Sequence, residues 1–171
     1  MKIINTNLKE NYNIILSSFS DTRGVFTRLF CSKKFKNLLG KKKIVQINYS
    51  KTKLKGSVRG MHYQINPFKE AKFIICVRGK IYDIAIDIRK NSKNFLRYQH
   101  TILSDKNKVI NFIPEGFAHG FQTMTDDCEL IYFHTNEYKK KYECSLLYSD
   151  PLIDIKWPLK IKHISYKDKN I

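Results

Sequence analysis

From Ile44 onward the chain reads as short apolar runs broken by polar turns, and within most runs apolar and polar residues alternate. IVQINYS, SVRGMHYQ, FIICV, IYDIAIDI, RYQHTIL, VINFIP, HGFQTMT and CELIYFHT follow one another as predicted strands. In a strand successive side chains point to opposite faces. Tyr82, Ile84, Ile86 and Ile88 therefore share one face, and Asp83 and Asp87 the other. Arg78-Gly79-Lys80, between two of these runs, is a hairpin signal. KTKLKG before Ser57 reads as a charged, flexible connection. Upstream, a polar start leads to a turn at Asp21-Thr22-Arg23-Gly24 and a short strand, VFTRLF. A helix follows, with Ser32 as N-cap, Phe35, Leu38 and Leu39 on one face, and Gly40 as its end. Strands and helices do not alternate as βαβ units, so no dinucleotide-binding sheet is expected. Short strands with turn signals every 8–12 residues or so predict an all-β barrel or sandwich carrying one or two short helices.

The 171 residues suit one domain, 1–171. A chain of this size buries roughly 70% of its unfolded surface, enough for a full core. A hydrophobic content of 42% excludes disorder. No apolar run is long enough for a membrane helix, and MKIINTNLKENYN lacks the apolar stretch of a signal peptide, so the cytoplasm is the expected compartment. Cys31, Cys76, Cys128 and Cys144 form no CxxC pair, which argues against zinc ribbons and thioredoxin-like motifs. The net charge is +17, but 26 of the 32 cations are Lys, in a chain with 22 Ile, 13 Asn and 3 Ala. That is the bias of A/T-rich coding, and no aromatic–basic stripe accompanies it. Nucleic acid is not an expected partner; a small anionic substrate is compatible.

Two segments carry candidate chemistry. Pro114-Glu115-Gly116-Phe117-Ala118-His119 has the Pro-x-Gly-x-x-His pattern of the later motif of cupin barrels. The earlier cupin motif usually supplies His-x-His and then Glu; here it supplies His62-Tyr63-Gln64. A Zn or Fe centre wants three good ligands. His62 and His119 are present, Gln64 stands where a second His would, and Glu70 could add a carboxylate. A metal-dependent cupin enzyme is thus the alternative reading; no metal is the expected one.

The strings SVRGMHYQ, GKIYDIAIDIRKNSKNF, FIPEGFAHGF, ELIYFHTNEY and DPLIDIKWP, with Lys72 seven residues before Gly79, resemble the dTDP-4-dehydrorhamnose 3,5-epimerases from about Asp21 to Asp168. The resemblance implies a cupin-type double-stranded β-helix, or jelly roll, that works without metal or other cofactor in deoxysugar and polysaccharide biosynthesis. The implied substrate is a nucleoside diphosphate 4-keto-6-deoxy sugar, with C3, C5 or both inverted through an enolate. His62 matches the family's base, Asp168 its carboxylate partner, Lys72 the enolate-stabilising cation and Tyr132 the acid. Arg59 and His119 match groups around the diphosphate and sugar. Arg23, Phe26, Gln46, Asn48, Tyr138, Glu143 and Lys167 fall where the family binds the nucleotide. Arg28 stands where the family often has Glu, and Ile47 where Asp is common, so a GDP- or CDP-linked sugar, or inversion at C3 alone, stays open. The resemblance also implies a homodimer, with VFTRLF reaching across the interface. If Asp168 serves His62, the segment from Trp157 must fold back over the barrel mouth, with Trp157, Leu159, Ile161 and Ile164 as its apolar contacts. A non-catalytic sugar-nucleotide-binding module is the remaining reading.

Overall fold

The computed structural model describes residues 1–171. The chain opens with β1 (Lys2–Asn5), β2 (Tyr12–Ile15), β3 (Ser18–Asp21) and β4 (Gly24–Thr27), then the helix α1 (Ser32–Leu39). Eight longer strands come in the predicted order: β5 (Gln46–Thr52), β6 (Ser57–Gln64), β7 (Lys72–Arg78), β8 (Lys80–Asp87), β9 (Tyr98–Ser104), β10 (Val109–Ile113), β11 (Phe117–Thr123) and β12 (Cys128–His134). β13 (Glu143–Ser145), β14 (His163–Ile164) and a one-turn helix, α2 (Tyr166–Lys169), close the chain.

Two sheets face each other in a jelly roll. One runs β1-β2-β10-β7-β12-β5, the other β13-β6-β11-β8-β9; β14 adds to β6 in parallel, and all other pairings are antiparallel. Side chains at alternate positions split into three apolar layers. Between the sheets lie Ile74, Cys76, Ile81, Ala85, Phe117, Phe121 and Leu130. Phe73, Ile75, Ile110, Phe112 and Phe133 point outward from the first sheet and are covered by Phe35 and Leu39 of α1. Burying a side chain of that size fully contributes about 1.5–3 kcal/mol, which is what holds so short a helix in place. On the far side, Met61, Tyr82, Ile84 and Ile86 are covered by Ile153 and Ile155 of the chain after β13.

The alternation in IYDIAIDI is therefore real, but its polar face looks into the barrel and its apolar face outward under that cover. Arg78-Gly79-Lys80 is not a hairpin: β7 and β8 belong to different sheets, and Gly79 turns a corner between them at φ 78°. A Cβ there would come within 2.6 Å of Thr125 Oγ1 and 3.0 Å of Cys128 Sγ. The predicted strand VFTRLF stops at Thr27, because Leu29 and Phe30 leave the ladder to pack against the α1 layer. The N-cap of α1 is Cys31, not Ser32, and makes no side-chain cap bond. The polar-looking start hides β1 and β2, whose Ile14 is fully buried against β10.

Candidate active site

The site is built on β6 of the second sheet. Arg59 and His62 are three residues apart on β6, and a regular strand would send them to opposite faces. The register against β11 solves this: His119 faces His62 and Phe121 faces Arg59, so β6 holds one extra residue in between. Such a bulge re-aims side chains, and both Arg59 and His62 line the cavity. Gly60 makes the bulge possible, with φ 115°; a Cβ would lie 2.6 Å from the Gly120 Cα and 2.7 Å from the His119 carbonyl oxygen.

The other edge of β6 is closed by the end of the chain. β13 pairs with Gln64–His62, β14 with Ser57 and Val58, and between them the Gly60 N–H donates to Asp168 Oδ2 at 3.3 Å. Asp168 Oδ1 accepts from His62 Nε2 at 2.7 Å. Burial would raise the Asp168 carboxyl, but His62, the Gly60 amide and Ser165 together hold it below the ordinary carboxylate range. Asp168 is therefore an acceptor only, His62 Nε2 carries the hydrogen, and Nδ1 is left as the basic nitrogen. The tail folds back as expected. Trp157 packs on the outer layer, Gln122 clasps both backbone groups of Leu159, Ile161 is half-buried and Ile164 lines the cavity.

The cavity holds about 1020 Å³ and also receives Asn48, Lys72, His119, Tyr132, His134 and Lys167. Lys51, Arg59, Lys72 and Lys167 line it against one acid, Asp168, an electrostatic setting for a polyanion. Tyr132 is held neutral: burial, aided by the Asp83 charge, pushes its hydroxyl far above the usual phenol range. His119 Nε2 donates to Asp83 Oδ1 at 2.7 Å, and Asp83 Oδ2 accepts from Asn111 Nδ2 at 2.9 Å. Burial lowers the His119 pKa below 6.5, with Asp83 opposing. The sequence placed Asp83 with Asp87 on one face of an apolar strand, without a role; two acids on the same face of so apolar a run were the available signal. Glu70 was singled out only as a spare carboxylate for a metal, and His134 was not singled out at all.

Gln46, Tyr138 and Glu143 stand beside the cavity and are tied to it by hydrogen bonds: Tyr138 N–H to Gln46 Oε1, Gln46 Nε2 to Asn48 Oδ1, and both Tyr138 Oη and Lys167 Nζ to Glu143 Oε2. Arg23, Phe26 and Arg28 are not brought there. Arg23 and Phe26 lie on the exposed β3–β4 arm, with Arg23 paired to Asp21; Phe26 and Arg28 line a separate recess of about 240 Å³ with Phe19, Cys31 and Phe35. As a metal centre the site fits poorly. Gln64 turns its amide to Phe68, Glu137 and Lys139, Glu70 is bound to Lys72 and His134, and no three His, Cys, Asp or Glu side chains converge.

Fold and cavity together define a jelly-roll barrel of the cupin class, with an imidazole–carboxylate pair, a lysine and a phenol at one mouth. Residues 5–171 match the family model described as dTDP-4-dehydrorhamnose 3,5-epimerase, and the chain belongs to that family. It is 40% identical to the dTDP-4-dehydrorhamnose 3,5-epimerase of Shigella flexneri, over 99% of this chain and 94% of that one. The crystal structure of dTDP-6-deoxy-D-glucose-3,5-epimerase from Legionella pneumophila, in complex with dTDP-4-keto-L-rhamnose, superposes with a TM-score of 0.92 at 37% identity, covering 98% of this chain and 89% of that one. The Bacillus anthracis enzyme with TDP and PPi bound gives 0.95 at 33% identity, covering 99% and 97%.

Proposed function

We propose that the protein, as one domain over residues 1–171, converts dTDP-4-dehydro-6-deoxyglucose to dTDP-4-dehydrorhamnose by inverting C3 and C5 next to the C4 ketone. The observation that carries this is the His62–Asp168 pair, at 2.7 Å, in the same cavity as Lys72 and Tyr132. His62 Nδ1 takes the proton from C3 or C5; the electron pair moves into the ring and onto the C4 oxygen, giving an enolate. The Lys72 ammonium holds that negative charge. Asp168 holds the imidazolium that forms, by the logic of a catalytic triad. Tyr132, kept as a neutral phenol, returns a proton to the other face of the carbon, and the C4 ketone reforms. Each inversion leaves the proton on His62 and Tyr132 one proton short; exchange with water restores both, and since no electrons enter or leave, the cycle needs no redox cofactor.

Arg59 and His119 receive the diphosphate and sugar, and Asn48, Gln46, Tyr138, Glu143 and Lys167 the nucleotide. Arg23, Phe26 and Arg28 serve a neighbouring protomer. Phe19, Val25 and Phe26 are exposed on the arm, as are Ile47 and Tyr49 on the edge strand β5 and Val45 just before it, which supports a homodimer in which each arm covers a partner's edge. We assign it to the cytoplasm; no helix is long and apolar enough to cross a membrane. The test is incubation of dTDP-4-dehydro-6-deoxyglucose in D2O, with NMR at C3 and C5. Deuterium at both carbons is the expected result. Label at C3 alone restricts the enzyme to one inversion, and no label at either carbon refutes the reading.

A further inference from the structure

Behind Lys72 lies a buried pair that the proposed reaction does not use. Lys72 Nζ is 3.1 Å from Glu70 Oε1, and the other oxygen, Oε2, is 2.7 Å from His134 Nδ1. All three side chains are nearly buried, at 11%, 6% and 10% exposure. The placement is set by the sheet: His134 of β12 lies directly opposite Lys72 of β7 on one side and Gln46 of β5 on the other. Ala71 exchanges bonds with Thr135, through both its N–H and its carbonyl, which pins the residue after Glu70 to the end of β12.

The direction of every hydrogen bond in this group follows from one backbone amide. Tyr138 N–H can only donate, so Gln46 Oε1 accepts it at 2.9 Å and Gln46 Nε2 donates to Asn48 Oδ1 at 3.0 Å. The Asn48 amide nitrogen is then the donor to His134 Nε2, at 3.3 Å. His134 is left with its hydrogen on Nδ1, donated to Glu70. Burial would raise the Glu70 carboxyl, yet His134 and Lys72 together keep it below its ordinary range, so it accepts from both.

We propose that Glu70 and His134 are positioning residues for Lys72, and that the chain Tyr138–Gln46–Asn48–His134–Glu70 couples the nucleotide end of the cavity to the lysine that faces the sugar. This rests on the part given to Lys72 above. A lysine is a long side chain with free rotors. Glu70 fixes its ammonium, and His134 fixes Glu70. A nucleotide that moves Gln46 or Asn48 alters the tautomer and angle of His134, and through Glu70 the position of the cation.

Two measurements test it. In 15N-labelled protein, the His134 ring, assigned by its loss in His134→Asn, is expected neutral with its hydrogen on Nδ1, and its signals are expected to shift when dTDP is added. A hydrogen on Nε2, a cationic ring at pH 7, or no response to bound dTDP overturns the coupling. In kinetics, His134→Phe is expected to lower kcat about 10- to 100-fold, the usual cost of losing a group that orients a functional one, with KM within a few-fold. His134→Asn, whose amide still reaches toward Glu70, is expected to regain most of that loss. Wild-type turnover in His134→Phe, or an equal loss in both variants, overturns the positioning role. Wild-type protein that exchanges no deuterium sinks the epimerase reading instead, while leaving the tautomer result standing. Should His134→Phe fail to fold, the spectroscopic arm decides alone.

Discussion

Of the four histidines that line the cavity, three, His62, His119 and His134, are each paired with a carboxylate, and exposure separates their roles. His62 keeps 32% of its side chain open, against 7% for His119 and 10% for His134. A base must reach carbon-bound hydrogen in the substrate, so the open imidazole is the one that fits. His62→Ala should lower deuterium incorporation about 10²–10⁴-fold while leaving dTDP affinity within a few-fold, as titration calorimetry would read; exchange at the wild-type rate would remove His62 from the mechanism. His119 makes a different prediction. Its folded-state pKa lies below the ordinary 6.5, so unfolding takes up a proton as pH falls beneath that value. Its contribution to stability is complete above pH 6.5 and declines on acidification. The melting temperature of the wild type should therefore drop between pH 6.5 and 5 more steeply than that of His119→Gln; parallel curves would refute the assignment. Asp168 acts lower on the scale: its depressed carboxyl stabilises the docked tail above its ordinary 3.8 and loses that effect as pH falls through the folded-state value.

At the scale of elements, the tail and the bulge decide whether the site exists. Truncation after Lys167 removes the carboxylate but leaves β14 and the Leu159–Gln122 clasp. It should cut turnover sharply and move the melting temperature little, and Asp168→Asn should behave alike; a truncated enzyme with wild-type turnover would make Asp168 dispensable. The eight long strands were legible because their period of two is a local property of sequence. The sheet each belongs to was not. Gly79 looks the same in a hairpin and in a corner, and only Thr125 and Cys128, distant in sequence, make the corner. β2, β13 and α2 were likewise hidden, being short and held by tertiary contacts rather than by pattern, whereas the turn at Asp21–Gly24 and the start of the strand after it were read correctly. His62, Lys72, Tyr132 and Asp168 were readable through family motifs and do meet in one cavity. Glu70 and His134 were not, since neither spacing nor motif announces a pairing across 64 residues of sequence.

For the whole molecule, the exposed arm and the open β5 edge support the proposed dimer. Phe19, Val25 and Phe26 leave a surface that a lone chain would keep in water. Light scattering at micromolar concentration should report a dimer, and Phe26→Asp should shift it toward monomer while weakening nucleotide binding; a monomeric wild type would overturn the shared site. One consequence of the tail's position concerns time rather than space. A chain is made from its N-terminus onward. All twelve strands of the barrel, His62 among them, are synthesised before the carboxylate 106 positions downstream. Until α2 docks, the imidazole and the Gly60 amide lack the carboxylate they share. Competence therefore depends on α2 joining strands made before it, where one side chain answers both groups.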